Sequence, residues 1–99
     1  MPGFRIEVTE EARLDLLSYF AHEQKIITGE VRTQLEYQPL VETRNRKQLR
    51  GNPVASWELR IGKFRVFYEV HEDPRTITIV AVGHKEHNKL FVRGKEVKL

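Results

Sequence analysis

Hydrophobic and polar positions follow one rhythm in the first third of this 99-residue chain and another in the second half. The chain starts with Phe4-Arg5-Ile6-Glu7-Val8, apolar and polar by turns, which is the period-2 pattern of an edge strand. Thr9 then stands where a helix N-cap belongs, and Glu10, Glu11 and Asp15 lie toward the positive end of the helix macrodipole. Ala12, Leu16, Leu17 and Phe20 recur at helical spacing and predict a buried stripe. A second helical pattern covers residues 22–38, with Ile27, Val31 and Leu35 at i, i+4 and i+8. Gly29 weakens it and Gln38-Pro39 closes it. Residues 40–55 have no clean period. They hold Arg44, Arg46, Lys47 and Arg50, then Gly51-Asn52-Pro53, and a loop this long in a small domain is more often functional than not.

Period 2 returns at residue 56. Ser56–Ile61, Phe64–His71 and Thr76–Gly83 read as strands, joined by turns at Gly62-Lys63 and Glu72-Asp73-Pro74-Arg75. Glycine at the first central position of the first turn suits a type II′ hairpin. That turn sets Ile61 against Phe64, Leu59 against Val66 and Trp57 against Tyr68. The next sets Val70 against Ile77, Tyr68 against Ile79 and Val66 against Ala81. All are apolar and share one side of the sheet, because strand side chains alternate. Leu90–Leu99 reads as a small final hairpin around Arg93-Gly94. The expected fold is α+β, a single domain over residues 1–99, with two N-terminal helices packed on one face of a small, mainly antiparallel sheet.

The other face is then left with Glu58, Arg60, Arg65, Phe67, Glu69, Val80 and Val82. Arg60 and Arg65 become direct cross-strand neighbours, an unfavourable pairing unless each finds a carboxylate, splays into water or holds an anion. Two forked guanidiniums suit a phosphate. The third strand is expected to deliver His84, Lys85 and His87 to the same end of the sheet, and imidazole moves protons near neutral pH. His84 and His87 have no third ligand at matching spacing, so no metal is expected. The absence of cysteine excludes disulfides and thiolate-bound zinc. There is no glycine-rich phosphate loop, and Ser18 and Ser56 have no triad context.

Charge sharpens this picture. The net charge of +3 hides a division: residues 1–43 carry eight acidic and four basic side chains, residues 44–99 six acidic and thirteen basic. A basic face for a polyanion is the consequence. The longest apolar run, Ile79-Val80-Ala81-Val82, is far short of a membrane span, and the first residues lack a signal-peptide pattern. A cytoplasmic protein without membrane contact is expected.

Two helices, a basic loop containing Arg46-Lys47-Gln48-Leu49-Arg50-Gly51, then a meander with Phe64-Arg65-Val66-Phe67-Tyr68 and Ala81-Val82-Gly83-His84-Lys85 resemble the RelE/ParE toxin superfamily over nearly the whole chain. The resemblance implies a toxin of a type II toxin–antitoxin pair with a cognate antitoxin as partner. RelE-like members cleave mRNA on the ribosome without metal or cofactor; ParE-like members poison DNA gyrase and are not enzymes. A third implied possibility is a domain that only binds antitoxin. Carried over residue by residue, the arginine that stabilises the scissile phosphate falls on Arg65, and the basic residue after the last strand on Lys85. Two lysines of the nuclease pattern fall on Ser56 and Glu58, and its base-stacking tyrosine falls near Phe91. Relatives that use glutamate as base and histidine as acid point to Glu58 and His84, with His87 as a second proton source. The function expected from the resemblance is a metal-independent, ribosome-dependent mRNA endonuclease with a ribose 2′-hydroxyl as nucleophile; the gyrase-binding toxin and the antitoxin-binding domain are the alternatives. Arg44, Arg46, Lys47, Arg50, Arg60 and Phe91 would hold the RNA.

Overall fold

The computed structural model describes residues 3–51 and 54–98. Strand β1 (Arg5–Val8) leads into helix α1 (Glu10–Leu17), where the Thr9 hydroxyl accepts the Ala12 N–H at 3.1 Å, the cap its sequence position predicts. Helix α2 (Ala21–Leu35) follows, and Ile27, Val31 and Leu35 are buried along one stripe. Strands β2 (Arg46–Gln48), β3 (Trp57–Ile61), β4 (Phe64–Glu72), β5 (Arg75–Glu86), β6 (Lys89–Val92) and β7 (Lys95–Val97) lie side by side in that order, each antiparallel to the next. Strand β1 pairs parallel with the first part of β5. The α+β arrangement with a mainly antiparallel sheet is therefore as expected.

The β3–β4 hairpin has the predicted register, Ile61 opposite Phe64 and Trp57 opposite Tyr68, around Gly62 at φ +56°. The β4–β5 pair departs from it. Val70 faces Ile77 and Tyr68 faces Ile79 as predicted, but the register shifts between Phe67 and Tyr68, so Val66 meets Val82 rather than Ala81. One extra residue on β5 reverses the facing of everything after it. Val82 joins the helix-side core of Leu59, Val66, Tyr68, Ile77 and Ile27, while Ala81 joins a second cluster on the opposite face.

Three further expectations need correction. Leu17 and Phe20 are exposed rather than buried. Helix α1 ends at Leu17, so Phe20 lies outside its period, and the inward stripe is Ala12, Asp15 and Leu16. The stretch 40–55 is not all loop: β2 adds an edge strand beside β3, although Asn52 and Pro53 lie outside the described residues. Finally, the second sheet face is not open. Phe67, Ala81, Leu90, Val92 and Ala55 close it, with Leu49, Val54 and Val97 packed against them.

Asp15 solves a backbone problem. Along one edge of β5, residues Thr76–Ile79 pair with β1 and Gly83–Glu86 with β6, leaving the groups between them without a ladder partner. The Asp15 carboxylate accepts the Val82 N–H at 3.1 Å, and Arg93 donates to the Val80 carbonyl at 3.1 Å. The two side chains pair with each other at 3.0 Å. The gap is thereby satisfied by an ion pair joining α1 to the C-terminal hairpin.

Candidate functional site

The expected site residues divide between the two sheet faces. Glu58, Arg60 and Arg65 lie on the face of the second cluster, and Lys85 shares that side through its register with Leu90. Glu58 is only 2% exposed, and its Oε1 accepts from Arg60 Nε at 3.1 Å. Arg60 has thus found a carboxylate on its own strand, which relieves its pairing with Arg65. Arg65 folds back on the hairpin: its terminal nitrogen donates to the carbonyls of Gly62 at 2.8 Å and Phe64 at 2.9 Å. Its Nε is buried without a partner among the described residues. Burial, reinforced by Arg60 and opposed by Glu58, pulls the guanidinium below its ordinary value.

His84 lies on the other face. The shifted register that turned Val82 toward the helices turns His84 the same way, two residues on. Its Nδ1 is 2.7 Å from the Tyr19 hydroxyl, and its Nε2 is 3.5 Å from Glu86. Its ring stacks on Phe91 with 5.8 Å between centroids, while Tyr19 stands edge-on to both His84 and Phe64. Burial pushes the Tyr19 hydroxyl up to about 12, and the Asp15 and Glu23 carboxylates add to the effect. Tyr19 is therefore a hydroxyl at neutral pH, hydrogen-bonded to the His84 ring. Clefts of about 540 and 390 Å³ flank this pair; the smaller is lined by Ser18, Phe20, Lys63 and Lys85 among others.

The remaining candidates scatter. His87 sits with Asn88 in the β5–β6 turn, both at positive φ, exposed and away from Arg65's end of the hairpin. Phe91 belongs to the His84 side. Arg44 and Arg50 are exposed, and Lys47 shares a face with Glu58 through their register. Arg46 is a correction: it is buried and donates to the carbonyl oxygens of Val41 and Gln34 and to the Gln34 side chain. Its guanidinium pins the segment after α2, and is not available to RNA. The Tyr68 hydroxyl pins the same segment through the Pro39 carbonyl at 2.8 Å.

Sequence reasoning missed Tyr19 and the Asp15–Arg93 pair. Tyr19 lies beyond the end of α1, between two helices, where no period signals its burial. Nothing local signals Arg93, whose partner is far away in the chain. The described residues contain no group of three or more His, Cys, Asp or Glu side chains placed to hold a metal, and no helix long and apolar enough to cross a membrane.

Comparison with known proteins supplies the family. A chain of the toxin–antitoxin complex RelBE2 from Mycobacterium tuberculosis is similar in structure, with TM-score 0.74 and 25% sequence identity. The match covers 86% of this chain and 94% of that one. A search of curated proteins finds no match. The family model described as the ParE toxin of the type II toxin–antitoxin system parDE matches residues 6–89. With the fold and most of its length accounted for, the chain belongs to the ParE toxin family of type II toxin–antitoxin systems, within the RelE/ParE superfamily.

Proposed function

We propose that this toxin acts by binding a protein target, DNA gyrase being the one the ParE resemblance implies, and not by cleaving mRNA. The observation that carries this reading is the split of the expected catalytic set across the sheet. Cleavage through a ribose 2′-hydroxyl needs a base, an acid and a cation converging within hydrogen-bond reach of one phosphate. Here Arg65 and His84 face opposite sides of the sheet, and His87 is exposed in the β5–β6 turn. Glu58, the one carboxylate beside Arg65, is buried and occupied by Arg60. The lysines of the nuclease pattern are replaced by Ser56 and Glu58. The setting of this activity is the cytoplasm.

A cognate antitoxin is the second partner in this reading, as the similar RelBE2 chain comes from a toxin–antitoxin complex. Purification from cells making the chain at native level should bring down a small second protein.

One observation favours mRNA cleavage instead: Arg60, Arg65 and Lys85 do share a face. Two assays separate the readings. The purified chain should inhibit gyrase supercoiling and leave mRNA on programmed ribosomes intact. Cleavage that falls roughly 100- to 1000-fold in Arg65→Ala, as loss of one electrostatic donor does, would establish the nuclease.

A further inference from the structure

We propose that the face of the second cluster docks the phosphate backbone of duplex DNA. The inference rests on the reading of the chain as a binding toxin whose target works on DNA, and adds a direct contact with that DNA. The sheet register lines up Arg60, Arg65, Gly83, Val92 and Lys95 in one row across β3 to β7. Lys47 and Lys85 flank the row on the same face. Arg60 and Glu58 neutralise each other, and Glu69 accepts the Ser56 N–H at 3.1 Å, which leaves four further cations on this surface: Lys47, Arg65, Lys85 and Lys95. Four strand-to-strand steps of about 4.8 Å spread the row over roughly 19 Å, a span that reaches several phosphates of a duplex.

The choice of duplex over single strand follows from what this face lacks. Single-strand binders stack exposed bases on aromatic side chains. Phe67, the aromatic residue on this face of β4, is fully buried. Trp57, Phe64 and Tyr68 belong to the helix-side core, and Phe91 lies against His84. What remains is charge without stacking or base readout, and that fits a backbone of fixed shape. The division of charge along the chain adds orientation, because the excess of acidic residues in the helical region turns that side away from a polyanion.

The test is a fluorescence anisotropy titration of the full chain with a labelled duplex DNA of about 20 base pairs, with single-stranded DNA and RNA of the same length in parallel, over a series of salt concentrations. The duplex should bind in the range of about 1–100 µM whatever its sequence, about 10-fold tighter than either single strand. Four phosphate contacts predict a slope of log K against log salt of about −4. The pair of reversals Lys47→Glu and Lys95→Glu should weaken binding at least 10-fold and reduce the steepness of that slope by about 2. Lys25→Glu, on the exposed side of α2, should change it by less than 2-fold, and circular dichroism should show all variants folded. Absence of duplex binding at low salt, a preference for single-stranded RNA or DNA, or an equal loss in Lys25→Glu each overturns the proposal. Gyrase inhibition by a chain that fails to bind DNA would overturn this inference and leave the protein-target reading standing.

Discussion

The helix-side face of the sheet and its opposite face are both closed by apolar side chains, but by different means. On the first, Leu59, Val66, Tyr68 and Ile77 meet Ala12, Ile27, Val31 and Leu35 from two helices, the ordinary two-layer solution. On the second, the described residues form no separate layer. The sheet's own C-terminal hairpin and the segment around Ala55 pack with Phe67 and Ala81, and Lys47, Arg60, Arg65, Lys85 and Lys95 share that face by register. A face covered in this way keeps its cations close to solvent while burying one carboxylate, Glu58. The comparison explains why the basic surface is also the less regular one: its cover is assembled from the C-terminal hairpin and a connecting segment, not from a helix with a period.

The most severe test of this picture is a pair of core truncations. Leu59→Ala should destabilise by about 2–5 kcal/mol and Phe67→Ala by about 3–5 kcal/mol, as large-to-small changes at fully buried sites do. Against a total stability of about 5–15 kcal/mol for such a domain, either change brings the protein close to unfolding. Chemical denaturation measures both. If Phe67→Ala costs less than about 1 kcal/mol, the second face is open after all and the two faces are not alike.

How much of this was legible beforehand follows the range of the interactions. The alternation in β3 and β4 and the spacing of Ile27, Val31 and Leu35 are local signals, and they placed the helix-side core and the first hairpin correctly. The extra residue opposite Phe67 is invisible to alternation, since Val80, Ala81 and Val82 are all apolar and any of them fits a core. The slip leaves His84 at the expected end of the sheet, opposite Phe64, but turns it to the helix side, away from the face of Arg65. Arg46 misled for a related reason. A basic residue in an aperiodic stretch reads as surface, and only the fold shows the carbonyls of Val41 and Gln34 that it satisfies. The opposition of Arg60 and Arg65 is legible from the turn, but nothing local decides that Arg60 takes the Glu58 carboxylate and that Arg65 folds back on the Gly62 and Phe64 carbonyls.

The ion pair between Asp15 and Arg93 ties the two faces' covers together, so it is the next place to cut. Asp15→Ala removes the acceptor of the buried Val82 N–H and should cost about 1–3 kcal/mol. Arg93→Ala should cost less, because its side chain is 46% exposed and water reaches the vacated position. The double variant should show a coupling of at least about 0.5 kcal/mol, and hydrogen exchange at the Val82 amide should accelerate in Asp15→Ala alone. Additive costs with an unchanged Val82 amide would mean that the C-terminal hairpin is held without this pair.

The smallest expected effect isolates the helix-side edge, where Tyr19 meets His84. Tyr19→Phe removes one hydrogen bond and leaves the ring contacts, so it should cost about 0.5–1.5 kcal/mol at neutral pH. Its pH dependence is more telling than its size. An unfolded tyrosine ionises near about 10, whereas the folded Tyr19 hydroxyl holds its proton up to about 12. Between those values the native state binds more protons than the unfolded state, so stability falls as pH rises. The Tyr19 contribution is fully present below about pH 10 and is lost as pH climbs through about 12. Tyr68, whose hydroxyl burial also pushes up, falls on the same alkaline limb. Tyr19→Phe should therefore flatten the loss of stability between about pH 10 and 12 without abolishing it, while Leu59→Ala lowers the whole curve and keeps its shape. Denaturation midpoints read at several pH values separate the two. An alkaline limb as steep in Tyr19→Phe as in the wild type would show that Tyr19 is solvated, and that His84 is held by Phe91 and Glu86 instead.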